Sequence, residues 1–252
     1  MNTDKVFLFD YGGTLDTGGH HWGRVIWHAY ERFLPATDYE AYRNAYVMTE
    51  RMLGKSNTIT PETTFREVLN VKISSQIDFL LTMKTDCESV GSFDEKQARQ
   101  ASSEMASWLY QQTINATEHS RKMLLDLSKT NRIALVSNFY GNLNTVLREF
   151  KLNNLFETVV ESAQVGIRKP DEAIYKLAID RMGLQPSDVI VVGDSIKNDI
   201  RPAHSLGCTT VWIKGESWSQ TAEDTSTVDY EITDIEQVVT LDFRRKIMAH
   251  DS

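Results

Sequence analysis

The sequence predicts an α/β chain, a parallel doubly wound sheet interrupted after its first strand by an all-helical insert. Three observations carry that prediction. Short apolar runs recur at residues 5–10, Ile133–Ser137, Val189–Gly193 and Thr209–Ile213, with a weaker one around Asp229–Ile232. Segments of helical period lie between them. The stretch from about 17 to 115 has helical spacing and little strand character.

The first run, Lys5-Val6-Phe7-Leu8-Phe9-Asp10, is apolar on both alternations and suits a strand buried on both faces. The long insert follows. Trp22, Val25, Ile26, Ala29 and Phe33 form one helical stripe, Ile77, Leu80, Leu81 and Lys84 continue the texture, and Ala98 to Leu109 adds another helix. Gly54-Lys55-Ser56-Asn57 and Gly91-Ser92 read as breaks. Glu118–Lys129, carrying Met123, Leu124 and Leu127, returns the chain to the sheet, and Glu172–Met182 carries Ile174, Leu177, Ala178 and Met182. Strands separated by helices require crossover connections, hence parallel pairing. The expected division is a core of residues 1–16 and 116–252 and an insert of 17–115.

Composition narrows the function. A net charge of -8 repels polyanions, and the short Arg244-Arg245-Lys246 cluster reads as a solvated helix end, so no nucleic-acid partner is expected. Cys87 and Cys208 lack metal-ligand spacing and fit a reducing compartment. No apolar run is long enough to span a bilayer or serve as a signal-peptide core, so no membrane partner is expected and the reading is cytoplasmic. The sequence does not indicate an oligomeric state.

In an open parallel sheet, ligands sit beyond the carboxyl ends of the strands. There the chain places Asp10-Tyr11-Gly12-Gly13-Thr14-Leu15-Asp16, Ser137-Asn138, Gly193-Asp194-Ser195 and Asp199, with Arg168-Lys169-Pro170 before the third of these strands. Three acids, a hydroxyl and a lysine on one rim make a phosphoryl-transfer site. Asp10, Asp194 and the carbonyl of Gly12 offer the oxygen ligands that Mg²⁺ prefers. Lys169, Ser137 and Thr14 offer donors to the transferring oxygens, and Asp10 is placed for nucleophilic attack. Asp171, beside Pro170, reads as a turn or helix cap, while Asn138 suits either a cap or a substrate contact.

In these motifs the chain resembles the haloacid dehalogenase superfamily. Its phosphatases carry Asp-x-Asp-Gly-Thr, a Ser or Thr after the second core strand, a Lys before a helix, and Gly-Asp-x-x-x-x-Asp. Those positions here are Asp10-Tyr11-Gly12-Gly13-Thr14, Ser137, Lys169 and Gly193-Asp194-Ser195-Ile196-Lys197-Asn198-Asp199. The resemblance implies a Rossmann-like core under a helical cap, with Asp10 as nucleophile and Ser137 and Lys169 on phosphate. It also implies Mg²⁺ at Asp194, with Asp199 orienting a metal-bound water or Lys169. The substrate expected is a small phosphorylated metabolite.

One departure bears on mechanism: Gly12 stands where the family's second aspartate acts as general acid and base. Three readings remain open. The first is a phosphatase in which His20, His21 or Asp16 substitutes, and the second a carbon–phosphorus hydrolase with Lys55 as Schiff base. The third is a non-catalytic module binding a phosphorylated ligand or a protein. Cap specificity would fall to residues such as Trp22, Trp27, Tyr46, Arg51 and Lys55.

Overall fold

A computed structural model describes residues 5–86, 90–219 and 221–243. Cys87 and the Arg244-Arg245-Lys246 cluster lie outside the described residues. Six strands, β1 (Val6–Phe9), β2 (Arg132–Ser137), β3 (Thr158–Glu161), β4 (Val189–Gly193), β5 (Thr209–Ile213) and β6 (Tyr230–Ile232), form one parallel sheet in the order β3-β2-β1-β4-β5-β6. Leu8 lies in register with Ala134 on one side and Val191 on the other. The chain thus leaves β1 in one direction, through β2 and β3, and returns on the other side through β4. The carboxyl ends of β1, β2 and β4 face the crevice at this reversal, the usual ligand position of such sheets.

Successive strand residues point to opposite faces, and both faces are covered. Val6, Leu8, Ala134, Val136, Val189 and Val191 pack with Ile174, Ala178 and Ile179 of a helix over Ala173–Arg181. Phe7, Phe9, Leu135, Ile190 and Val192 pack with Met123, Leu124 and Leu127, and this cluster continues without a gap into the insert.

The insert holds α1 (Trp22–Phe33), α2 (Tyr39–Leu53), α3 (Phe65–Asp86) and the first part of α4 (Glu95–Leu127). Asp38 caps α2 by accepting from Ala41 N at 2.8 Å, and α2 ends at Gly54, where the sequence predicts a break. The predicted boundary at 115/116 instead falls inside α4, a single helix of 33 residues and hence about 50 Å long. The reason is visible in its composition. No Gly or Pro interrupts 95–127, and the buried stripe Ala101, Met105, Leu109, Thr113, Thr117, Ser120, Met123, Leu127 continues from insert to core. Strand β3 and the helix α5 over Leu143–Glu149 were not apparent from pattern; Thr158-Val159-Val160-Glu161 is too short for its period to stand out. No helix of the described residues is long and apolar enough to cross a membrane.

Candidate active site

Asp10 ends β1, its backbone N–H donating to Val192 O at 2.9 Å, so the nucleophile candidate is fixed by the sheet itself. The following loop folds back on its own groups. Leu15 N donates to Tyr11 O at 2.9 Å, and Gly13 N donates to Asp16 Oδ1 at 2.7 Å. Gly13, at φ 99°, brings the loop so close to Asp194 that a Cβ would sit 2.5 Å from its carboxylate. At Gly12, in contrast, a Cβ would meet nothing within 4 Å, so a side chain there has open space before it.

Lys169 is the electrostatic centre. Its Nζ donates to Asp10 Oδ1 at 2.5 Å and Asp199 Oδ1 at 2.7 Å, all three groups being buried. Burial works against its charge, but the two carboxylates outweigh it and hold the ammonium above its usual range. Asp199 also accepts from Tyr175 OH at 2.8 Å and, through Oδ2, from Ser195 N at 3.1 Å. It therefore anchors Lys169, one of the two roles the resemblance implies.

Three carboxylates face this one lysine. Oxygens of Asp10, Asp194 and Asp199 lie within 4.8 Å of one another. Burial, reinforced by Asp199 and Asp10, pushes the Asp194 carboxyl well above the usual range. Burial also raises Asp10, with Lys169 pulling back. An oxygen-only donor set with excess negative charge suits a hard divalent cation such as Mg²⁺.

Thr14, placed by sequence among the phosphate donors, ties the two acidic loops together instead. Its Oγ1 lies 3.2 Å from Asp10 Oδ2 and 3.1 Å from Asp194 Oδ1, and accepts from Asp194 N at 3.0 Å. Ser137 Oγ, in contrast, is buried without a hydrogen-bond partner at the end of β2, the strand paired with β1. A buried hydroxyl left unsatisfied carries a cost that a ligand oxygen would remove. Asn138 does not cap the next helix; it borders the cavity and its side chain holds the loop of Lys169. Its Nδ2 donates to Lys169 O at 3.1 Å and its Oδ1 accepts from Lys169 N at 2.9 Å, clamping the lysine's backbone. Asp171 does cap, accepting from Ala173 N at 2.9 Å.

The substitutes considered for the missing acid–base group are spent on structure. His20 Nδ1 accepts from Glu216 N at 3.1 Å. His21 Nδ1 accepts from Gly23 N at 3.0 Å, which places the proton of the neutral ring on Nε2 and leaves no free base. Burial lowers its pKa to about 4. Asp16, pushed by burial up to about 7, also accepts from Trp22 Nε1 at 3.0 Å.

A cavity of about 150 Å³ opens from Gly12, Asp194 and Asn138 towards α2 and α3. Trp22 and Tyr46 line it as considered from sequence; Arg51 and Lys55 are exposed and Trp27 packs between Tyr39 and Tyr42. Sequence reasoning missed three of its polar residues, Glu50, Lys72 and Tyr140. A signal existed for Lys72, a charge inside the buried stripe Leu69, Ile73, Ile77 and Leu80.

The model of the haloacid dehalogenase-like hydrolases matches residues 42–213. Among curated proteins, a glyceraldehyde 3-phosphate phosphatase of Pyrococcus furiosus is 32% identical over 124 residues, 48% of this chain and 51% of that protein. A phosphoserine phosphatase of Thermus thermophilus is 36% identical over 58 residues, 23% of each chain. The chain thus spans about half or less of the length of these relatives. Among solved structures, a dehalogenase with an intermediate complex superposes at a TM-score of 0.58 and 16% identity, covering 95% of this chain and 97% of that one. A phosphatase from Thermococcus onnurineus superposes at 0.51 and 20% identity, covering 94% and 96%. At these identities the likeness is one of fold.

Proposed function

The chain belongs to the haloacid dehalogenase-like hydrolases, and from that membership we propose that it is a Mg²⁺-dependent phosphatase of small phosphorylated metabolites. The observation that carries the reading is the buried Asp10–Lys169 pair after β1, with the unpartnered Ser137 Oγ at the same end of the neighbouring strand β2. The names of the two curated relatives described above, each a phosphatase, support it.

In this reading Asp10 attacks phosphorus, the alcohol leaves, and water then cleaves the acyl phosphate. Lys169 holds the second Asp10 oxygen and orients the attacking one. Ser137 Oγ donates to a phosphoryl oxygen, and Asp199 and Asn138 keep Lys169 in place. Mg²⁺, held by Asp10, Asp194 and the Gly12 carbonyl, would supply charge neutralisation at the phosphoryl group. With Gly12 carrying no acid, solvent protonates the leaving oxygen, which favours esters with good leaving groups. The carbon–phosphorus reading loses support because Lys55 is exposed and Lys72, the lysine that borders the cavity, is kept protonated by Glu50.

The experiment is phosphate release from a panel of esters, with Mg²⁺ and with EDTA, for the wild type and Asp10→Asn. The expected result is Mg²⁺-dependent turnover that falls by about 10⁴-fold or more in the variant, the scale of losing a nucleophile. Turnover retained in Asp10→Asn, or indifferent to EDTA, rejects the assignment.

A further inference from the structure

The cavity beyond Gly12 is mainly apolar, walled by Trp22, Tyr46, Phe65, Val68, Leu69 and Phe139. Into it project Glu50 from α2, Lys72 from α3 and Tyr140 from the loop after β2. Glu50 Oε1 lies 2.9 Å from Lys72 Nζ, and Oε2 accepts from Tyr140 OH at 2.6 Å. Oε2 is thus engaged by a hydrogen bond, while Oε1 has the ion pair alone and no hydrogen-bond partner. Lys72 Nζ is in a different position: it is held to Glu50 by the ion pair, and the ammonium sits 5.1 Å over the Tyr140 ring. Arg168, the neighbour of Lys169, borders the same cavity. Against the single charge of Glu50, these two cations leave the wall facing the scissile site net positive, with donor capacity to spare.

We infer that Lys72 selects phosphate esters whose non-transferred end carries a carboxylate. The inference rests on the phosphatase reading and deepens it by naming the substrate class. A buried ion pair is poor evidence of stabilisation, since apolar residues of similar volume often serve as well. Here the pair lies not in the interior of the helical layer but on a cavity wall shared with Gly12 and Asp194. Glu50 keeps Lys72 charged and aims it, which is what recognition of an anion needs. An ammonium on the substrate would meet the like charges of Lys72 and Arg168, which disfavours amines. The small cavity admits only a short carbon skeleton.

The test compares 3-phosphoglycerate with glycerol 3-phosphate, which share a skeleton and differ at the carboxylate, with p-nitrophenyl phosphate as a generic ester and Mg²⁺ throughout. The expected result is a kcat/KM ratio of about 10- to 100-fold favouring the carboxylate, the range of a charge-assisted hydrogen bond. That ratio should collapse in Lys72→Met and return largely in Lys72→Arg. Because Lys72→Met strands Glu50, the Glu50→Gln/Lys72→Met double variant is measured beside it, with thermal midpoints to establish folding. It should lack the ratio as well. Equal efficiency on the two esters in the wild type, or a loss in the Lys72 variants that is the same for both, overturns the inference and leaves the phosphatase reading standing. No turnover of any ester, the nitrophenyl ester included, overturns that reading and this one with it.

Discussion

At the scale of single residues, position 12 is where the sequence departs from the motif that the resemblance implies. The glycine leaves open space in front of the nucleophile's loop, with nothing within 4 Å of a built Cβ. Gly12→Asp should therefore fold unchanged and restore an acid–base group beside the leaving oxygen. An increase in kcat of about 10²-fold is expected on esters with poor leaving groups, at the low end of general acid–base catalysis. Steady-state kinetics on an alkyl phosphate decide it, and an unchanged kcat would mean protonation does not limit turnover. His21 makes a second prediction. Its folded pKa, about 4, lies below the unfolded value near 6.5, so the unfolded chain takes up the proton first. The stability this contributes is present above about pH 6.5 and is lost as pH falls towards 4, by up to about 3 kcal/mol. His21→Asn keeps a cap for Gly23 N and removes the titration. Urea denaturation across pH 4–7 should show a shallower acid limb in the variant; an identical limb would remove His21 as the cause.

At the scale of elements, the loop between β1 and α1 sets the spacing of the acids. Gly13 has the left-handed φ of 99° and lies against Asp194, so Gly13→Ala combines backbone strain with a clash. A cost of about 1–3 kcal/mol is expected, together with loss of turnover as Asp194 is displaced. Thermal midpoint and phosphate release measure both, and an active, equally stable variant would show that the loop tolerates a different spacing. Helix α4 explains how this loop is held from behind, since Ser120 Oγ donates to Leu15 O at 2.8 Å from a helix that begins in the cap. An uninterrupted stripe across residues 115–118 signalled that continuity. A division of the chain by texture alone places a boundary there because the residues on either side pack against different neighbours.

For the whole molecule, the contact that stands out between core and cap is Trp218, on the segment after β5. It stacks on His21 with centroids 5.4 Å apart, meets Tyr46 at 4.9 Å, and lies under Arg43 at 4.6 Å. Gly23 is small for this reason, as a Cβ there would come within 2.4 Å of the indole. Trp218→Ala should loosen the cap on the core. Full truncation of a buried tryptophan costs about 3–5 kcal/mol; for this half-buried one about 2 kcal/mol is expected. Hydrogen exchange should quicken in α1 and α2, with KM rising more than kcat falls. Exchange unchanged in those helices would show that the cap is held by α4 alone.

The parallel sheet, the helical insert and the residues Asp10, Ser137, Lys169, Asp194 and Asp199 on one rim were legible in the sequence. Strand burial writes itself as apolar runs, and a doubly wound topology carries whatever follows each run to the same edge. The tasks of Asn138 and Thr14 were not legible, because their partners, Lys169 and Asp194, lie 31 and 180 positions away. The same holds for the cavity wall. Glu50, Lys72 and Tyr140 come from three separate elements, and only tertiary packing brings their polar groups within reach of one another. Local periodicity reports which face of an element is buried; it does not report which buried faces meet.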